Sequence, residues 1–113
     1  MDKVDKQVLG RTLLVALHGE LDLVSAESVR ESIDTELEAY ARIKNLVIDL
    51  AEVDFIDSSG LGMLLGRYRQ VHKRGGKLVM IGPKPQVRRV LEMAGMTKIM
   101  GIVQTRQEAL ADL

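Results

Sequence analysis

One short segment, Asp57-Ser58-Ser59-Gly60, carries more hydroxyl and carboxylate chemistry than the start of a helix needs. It follows an apolar run and precedes a helical pattern, and Asp and Ser are preferred N-cap residues, so simple capping explains part of it. One cap does not need a carboxylate and two hydroxyls, and Gly60 and Gly62 place poor helix formers in the first turn at a cost of about 1 kcal/mol each relative to Ala. The surplus indicates a function at this junction.

A hydroxyl at a helix N-terminus is a favourable position for a phosphate. The free N–H groups and the positive end of the helix dipole stabilise the phosphate by about 0.3 to 2 kcal/mol. Phosphorylation here would add roughly −1.5 to −2 charges beside Asp54 and Asp57 without unfolding the helix. The junction is therefore a candidate phosphorylation switch.

The glycines at this junction, Gly60, Gly62 and Gly66, do not form a nucleotide-binding motif. Their spacing is G-x-G-x-x-x-G instead of G-x-G-x-x-G, and no G-K-[ST] follows. Gly62 and Gly66 lie on one helix face, where they permit the close approach of another backbone. That backbone belongs either to the sheet or to a partner.

Catalytic patterns are sparse in this sequence. No G-x-S-x-G elbow surrounds Ser58, and the sequence places no base within its reach, so an enzyme with Asp57 or Ser58 as nucleophile ranks third among the interpretations. Asp49, Asp54 and Asp57 suggest a receiver-like aspartate site. The acidic pair that would hold magnesium there is missing, because residues 12–18 contain no acid.

The chain has 16 basic and 16 acidic residues, but the charges are separated along it. Residues 20–57 contain eleven acids and three bases, a net charge of −8, whereas residues 58–91 contain eight bases and no acid. The second segment suggests, as an alternative function, a nucleic-acid-binding domain that uses Arg67 to Arg89. The cations are spread over several predicted elements and Tyr68 is the one aromatic among them, which favours a solvated or partner-facing surface instead.

Length and composition limit the remaining classes. The 113 residues fit one domain, residues 1–113, which can bury a core without disulfides. With no Cys and only two His, we expect neither a metal site nor a cofactor. The first six residues are too charged for a signal peptide and no apolar run approaches the roughly 20 residues of a membrane span, so we expect a cytoplasmic protein.

The elements that must position the junction follow from the apolar spacing. Strands are predicted at 4–8, 12–17, 46–50, 77–81 and 99–103, the first two as a hairpin. The first helix is predicted with Ser25 as its N-cap and Glu27 in its first turn, and the last with a capping box of Thr105 and Glu108. Together with helices ending at Gly75 and Gly95, this order predicts an α/β domain with a mainly parallel sheet of four to five strands and about four helices.

The run from Asp54 to Gly62, continued by Leu65-Gly66-Arg67-Tyr68, resembles the anti-sigma factor antagonists of the STAS domain family, with the sporulation members closest. Residues 19–22 (GELD) and 93–98 match further motifs, so the likeness covers essentially the whole chain. The resemblance implies a single STAS-like domain that is a binding protein and not an enzyme. In its unphosphorylated form it would bind an anti-sigma factor and free the sigma factor.

The resemblance also implies which residues act and on what. Ser58 is the expected phosphorylation site. The expected partners are the anti-sigma factor, acting as an ATP-dependent serine kinase, and a metal-dependent serine phosphatase that removes the phosphate. No nucleic acid, membrane or cofactor is expected. Partner contacts are expected at Asp22, Asp57, Ser59, Gly60, Gly62, Arg67 and Arg69.

Overall fold

The computed structural model describes residues 3–113; Met1 and Asp2, which begin the segment judged too charged for a signal peptide, lie outside these residues. The strands are β1 Lys3–Leu9, β2 Thr12–Leu21, β3 Asn45–Ile56, β4 Leu78–Ile81 and β5 Gly101–Val103. The helices are α1 Leu23–Ala39, α2 Ser58–Lys73, α3 Pro85–Met93 and α4 Arg106–Ala111, with a 3₁₀ turn at Met96–Lys98. The predicted α/β class is confirmed.

The five strands form one sheet in the order β1-β2-β3-β4-β5. β1 and β2 form the predicted antiparallel hairpin, whose turn contains Gly10 at φ +59°, a conformation that favours glycine. The pairs β2–β3, β3–β4 and β4–β5 are parallel, so the carboxyl ends of β2 to β5 lie at the same edge. Because Leu21 pairs with Ile56, β2 and β3 end side by side at that edge, and α1 and α2 begin there together.

The two faces of the sheet are covered unequally. The three crossover helices α1, α2 and α3 pack on one face, because right-handed crossovers that all step in the same direction place their helices on the same side. Their core side chains, such as Val29, Leu64 and Leu91, meet Val15 and Ile48 from the sheet. The opposite face carries a smaller cluster beneath α4, made of Leu14, Val47, Val79, Ile81 and Ala109.

The start of α1 differs from its prediction. The N-cap is Asp22 and not Ser25, because the Asp22 carboxylate accepts hydrogen bonds from the N–H groups of Val24 and Ser25. Ser25 stands at the third helical position and completes a capping box, and Glu27 falls beyond the first turn. Ser25 as the N-cap was therefore wrong by three residues, whereas Thr105 caps α4 as predicted.

Candidate functional site

The candidate site lies at the sheet edge where β2 and β3 end. The Asp57 N–H donates to the Leu21 carbonyl at 3.2 Å, which ties the start of α2 to the end of β2. Gly60 is buried at this contact, and a Cβ there would lie 2.6 Å from the Leu21 carbonyl oxygen and 2.8 Å from Ile56 Cγ1. Glycine at position 60 is thus what allows α2 to begin so close to the two strands.

Asp57 caps α2 without help from the serines that follow it. Its Oδ1 accepts from the N–H groups of Ser59 at 2.8 Å and Gly60 at 3.1 Å. Ser58, the first residue of the helix, is exposed, and Ser59 is half-buried. Within residues 3–113, neither hydroxyl takes part in a hydrogen bond. The Ser58 hydroxyl is therefore free and accessible for modification.

Asp22 occupies the same position at the start of α1. Its Oδ1 accepts from the N–H groups of Val24 at 3.1 Å and Ser25 at 3.0 Å, and the bond from the Ser25 backbone is the main reason that the pKa of Asp22 is lowered. The Ser25 hydroxyl accepts from the Asp22 N–H at 2.9 Å and donates to the Glu20 carbonyl at 2.7 Å. Ser25 is buried, so this serine is structural.

Three large apolar side chains at this edge are exposed to solvent. Leu23 is 74% exposed, Val24 82% and Phe55 49%. Leu23 and Val24 follow the Asp22 cap, and Phe55 stands two residues before the Asp57 cap. None of the three is among the predicted partner contacts. For Leu23 and Val24 the signal was their adjacency directly after Asp22, because no single buried helix face could accommodate both. Exposed apolar side chains around polar caps are typical of a protein interaction surface.

Most cations of the basic stretch make contacts within the fold. Arg74 donates to the carbonyls of Leu37 at 2.7 Å and Ile43 at 2.9 Å, and Lys77 donates to the Asp112 carbonyl at 3.1 Å. Arg67 is buried against Asp34 of α1. These three cations hold elements of the fold together, and two more, Lys84 and Arg88, form ion pairs with Asp54 and Glu92.

Lys84 stands at the start of α3 and contacts the end of β3. It forms an ion pair with Asp54 of β3, and this hydrogen bond is the main reason that the pKa of Lys84 is raised. Asp54 stands three residues before the Asp57 cap. The pair therefore anchors the start of α3 to the end of β3 and neutralises the charge of Asp54.

Arg67 faces α1 and not the solvent. The residue is 7% exposed, and its Nε lies 3.2 Å from Asp34 Oδ1 without hydrogen-bond geometry. Burial lowers the pKa of the guanidinium. Within the described chain, its Nη1 is buried and has no hydrogen-bond partner, an arrangement that costs about 1 to 3 kcal/mol. Arg67 is thus not one of the freely exposed partner contacts that its helix position suggests, whereas Arg69 is exposed.

A groove of about 260 Å³ separates the first turns of α1 and α2. It is lined by Leu23, Ala26, Glu27, Arg30, Ser59, Gly62, Met63 and Arg67. A Cβ added at Gly62 or at Gly66 would meet nothing within 4 Å. The sheet therefore does not approach either glycine closely.

The histidines do not extend the chemistry of the site. His18 pairs with Asp5 at 3.2 Å, and His72 stacks on Tyr68 with 5.5 Å between ring centroids. In residues 3–113, no group of three or more metal-ligating side chains is placed to hold a metal ion. Nor does this range contain a helix long and apolar enough to cross a membrane. The reactive groups at the sheet edge are the Asp and Ser side chains.

Known proteins are similar to this chain in sequence and in fold. The STAS domain profile matches residues 3–109. The anti-sigma F factor antagonist of Paenibacillus polymyxa is 38% identical over 101 residues, which cover 89% of this chain and 86% of the relative.

Two solved structures of the anti-sigma factor antagonist SpoIIAA are also similar. Its unphosphorylated form has a TM-score of 0.84 at 30% identity, with 96% of this chain and 93% of that one covered. The phosphorylated form, from Bacillus, has a TM-score of 0.77 at 28% identity, with 97% and 98% covered. Since the family profile spans nearly the whole chain, the protein belongs to the STAS domain family.

Proposed function

We propose that this protein is an anti-sigma factor antagonist, which binds an anti-sigma factor while Ser58 is unmodified and releases it when Ser58 carries a phosphate. The observation that carries the proposal is the free, exposed Ser58 hydroxyl beside a cap that Asp57 completes alone. The names of the similar proteins support it, because they are anti-sigma F and anti-sigma-B factor antagonists. SpoIIAA, moreover, has both an unphosphorylated and a phosphorylated structure.

The modification is a phosphoryl transfer to Ser58 Oγ. A bond forms between Oγ and the γ-phosphorus of ATP, the bond from that phosphorus to the β–γ bridging oxygen breaks, and ADP leaves. In the described chain no acceptor is bonded to the Ser58 hydroxyl, so the base that takes its proton belongs to the kinase. We assign the kinase activity to the anti-sigma factor itself. A metal-dependent serine phosphatase then removes the phosphate by hydrolysis.

A phosphate at this position acts on binding and not on folding. Ser58 lies at the positive end of the α2 helix dipole, which tolerates negative charge. If a partner carboxylate or phosphate lies about 8 Å away, each added charge costs ~2 kcal/mol at an effective dielectric constant near 20, or ~4 kcal/mol for a dianion. The affinity then falls about a thousandfold, which is enough to release the partner.

The proposed partner surface surrounds Ser58. Its apolar part consists of Leu23, Val24 and Phe55, which are exposed at the same edge. We include in this surface Asp22, Ser59, Gly62 and Arg69, with Arg67 in the lining of the adjacent groove. Asp57 and Gly60 contribute by position, because the first caps the helix and the second lets the helix begin against β2.

As a regulator of a sigma factor, the protein acts by binding and not by catalysis. We propose that residues 1–113 work as one STAS domain. Because sigma factors direct transcription, we expect the protein to act in the cytoplasm.

Phosphate mapping tests the function directly. The protein is incubated with its cognate anti-sigma factor and ATP, and the phosphate is located by mass spectrometry. We expect modification of Ser58 in the wild type and in Ser59→Ala, and none in Ser58→Ala. Phosphate on Ser59 alone, or no phosphate and no complex, would contradict the proposal.

A further inference from the structure

Six cations from four segments of the chain lie together at the end of the molecule where the strands begin. They are Arg11, Arg42, Lys44, Lys73, Arg74 and Lys77, and we call this surface the basic end. The Arg11 carbonyl accepts from the Lys44 N–H at 2.7 Å, and Asn45 Oδ1, one residue later, accepts from the N–H of Lys77 at 2.9 Å. The Arg42 side chain donates to the Gly10 carbonyl, and the Arg74 side chain donates to the Ile43 carbonyl. These bonds join the β1–β2 turn, the α1–β3 loop, the end of α2 and the start of β4.

The positive charge of the basic end is not cancelled inside the molecule. Within residues 3–113 none of its six cations forms an ion pair. The side chains of Arg74 and Lys77 donate to backbone carbonyls, which carry no net charge. Two acids also belong to this end, Glu38 in the last turn of α1 and Asp112 after α4, against six cations. Arg11, Arg42, Lys73 and Lys77 are exposed, so the excess charge is accessible to a partner.

The opposite end of the molecule, which holds Ser58, carries the complementary charge. Four carboxylates lie at or near the ends of β2 and β3, and no cation of the described chain pairs with them: Glu20, Asp22, Glu52 and Asp57. Glu20 and Glu52 are exposed. β2 begins at the basic end and finishes at this acidic end, so its ten residues separate the two surfaces by about 30 Å. The equal numbers of acids and bases in the chain are thus distributed unequally between its two ends.

Both ends combine their charge with exposed apolar side chains. At the acidic end these are Leu23, Val24 and Phe55. At the basic end they are Leu9, which directly precedes the β1–β2 turn and is 36% exposed, and Tyr40, which follows α1 and is 39% exposed. Protein interfaces join apolar contacts to a polar rim, and opposite charges on the two sides fix their orientation. The two ends of this molecule therefore complement each other.

We propose that the basic end binds the acidic end of a second copy of this chain. The acidic end is an anionic surface of known charge and apolar content, whereas a nucleic acid would find the Tyr40 ring already covered by the Arg42 guanidinium, 4.8 Å from its centroid. Because the two contacting surfaces differ, the contact repeats from copy to copy and depends on concentration. The inference goes beyond the proposed function and does not depend on it. Since Ser58 lies at the acidic end, a docked copy and the anti-sigma factor would compete for that end.

Sedimentation velocity of the full chain over a range of concentrations tests whether copies associate. At about 50 mM salt we expect the weight-average sedimentation coefficient to rise with concentration. At about 500 mM salt the dissociation constant should be at least tenfold higher, because salt screens the charges of both exposed ends. A protein that stays monomeric at every concentration in low salt would overturn the inference and leave the proposed function standing.

A mixing experiment tests whether unlike ends meet. One double variant, Arg11→Gln with Lys73→Gln, weakens the basic end, and another, Glu20→Gln with Glu52→Gln, weakens the acidic end. All four side chains are exposed and make no hydrogen bond within residues 3–113, so the melting temperatures should stay unchanged. Each variant alone should associate at least tenfold more weakly than the wild type. An equimolar mixture should form a dimer, because the first variant keeps its acidic end and the second keeps its basic end.

The matched control removes two exposed cations that lie outside the basic end. Arg89→Gln with Arg106→Gln changes the net charge as the basic-end variant does, and its self-association should stay within threefold of the wild type. An equal loss in this control, or a mixture that remains monomeric, would show that the two ends do not dock. If the wild type instead binds random-sequence duplex DNA or phosphatidylserine vesicles at physiological salt, and the basic-end variant does not, the basic end takes a different partner and the inference is wrong.

Discussion

The first turns of α1 and α2 begin at the same sheet edge and differ in how they use serine. Each is capped by an aspartate that stands directly after a strand, Asp22 after β2 and Asp57 after β3. In α1 the serine is at the third helical position, where Ser25 is buried and makes a reciprocal cap. In α2 the first helical residue is Ser58, which is exposed and unbonded within residues 3–113.

The difference follows from position within the turn. A side chain at the third position lies one turn from the cap and can reach back to the cap N–H, whereas one at the first position cannot. In α2 the third position belongs to Gly60, because any side chain there would collide with the Leu21 carbonyl. The close packing of α2 on β2 thus removes the capping box from α2 and leaves its serines available for chemistry.

The largest expected effect is on the affinity for the anti-sigma factor, and it distinguishes the start of α2 from the start of α1. Phosphorylation of Ser58 should weaken binding of the anti-sigma factor about a thousandfold, and Ser58→Asp, with one added charge, about thirtyfold, both with nearly unchanged melting temperature. Calorimetric titration and thermal unfolding measure the two quantities. Ser28→Asp, an exposed serine in α1, is the control and should bind within threefold of the wild type. Loss of folding in Ser58→Asp would show that Ser58 is structural.

The next effect is on the free energy of unfolding. It tests whether the close packing at Gly60 explains why α2 has no capping box. Gly60→Ala should lower the free energy of unfolding by about 3 kcal/mol, because the new methyl group overlaps the Leu21 carbonyl and the Ile56 side chain. Gly62→Ala should raise it by up to about 1 kcal/mol, since alanine favours the helix and meets no obstacle. Urea unfolding measures both. Equal effects at the two positions would remove this explanation.

A smaller effect compares the two serines directly. Ser25→Ala should cost about 1 to 2 kcal/mol of stability, because it leaves the Asp22 N–H without its side-chain acceptor and removes the bond to the Glu20 carbonyl. Ser58→Ala should change stability by less than about 0.5 kcal/mol, as exposed substitutions do. Chemical unfolding of both variants checks this, and a Ser58→Ala cost as large as that of Ser25→Ala would contradict the assigned roles.

The smallest effect is the pH dependence of the α1 cap. Hydrogen bonds, chiefly from the Ser25 N–H, hold the pKa of Asp22 below its ordinary value of 3.8. The charged form is therefore favoured in the folded state, so its contribution to stability is present above the unfolded pKa and is lost as pH falls through the lower, folded pKa. Wild-type stability should decline more steeply below about pH 4 than that of Asp22→Asn. Parallel profiles in urea titrations at several pH values would argue against this cap.

Much of the fold and one part of the candidate site could be predicted from local sequence patterns. Apolar runs and helical spacing determine the α/β class, because burial periodicity is a property of each segment by itself. The junction between β3 and α2 could be recognised from the polar side chains at positions 57–59, which exceed what one cap needs. Capping preferences are also local. The N-cap of α1 was misplaced, because Ser25 and Asp22 are both good caps and the choice depends on where β2 ends.

The remaining features depend on contacts between distant segments. The sequence places Arg67 on α2, but only packing against α1 buries it beside Asp34, thirty-three residues earlier. The pairing of β2 with β3 brings the Asp22 and Asp57 caps to one edge, and the start of α3 brings Lys84 to Asp54.

The sequence by itself therefore determined the order of the elements and placed a candidate phosphorylation site, Ser58, at a helix start. Only the tertiary structure decided which serine is free, which arginine is buried and which glycine opens a groove, because each of these depends on the neighbours that the fold brings within a few ångströms.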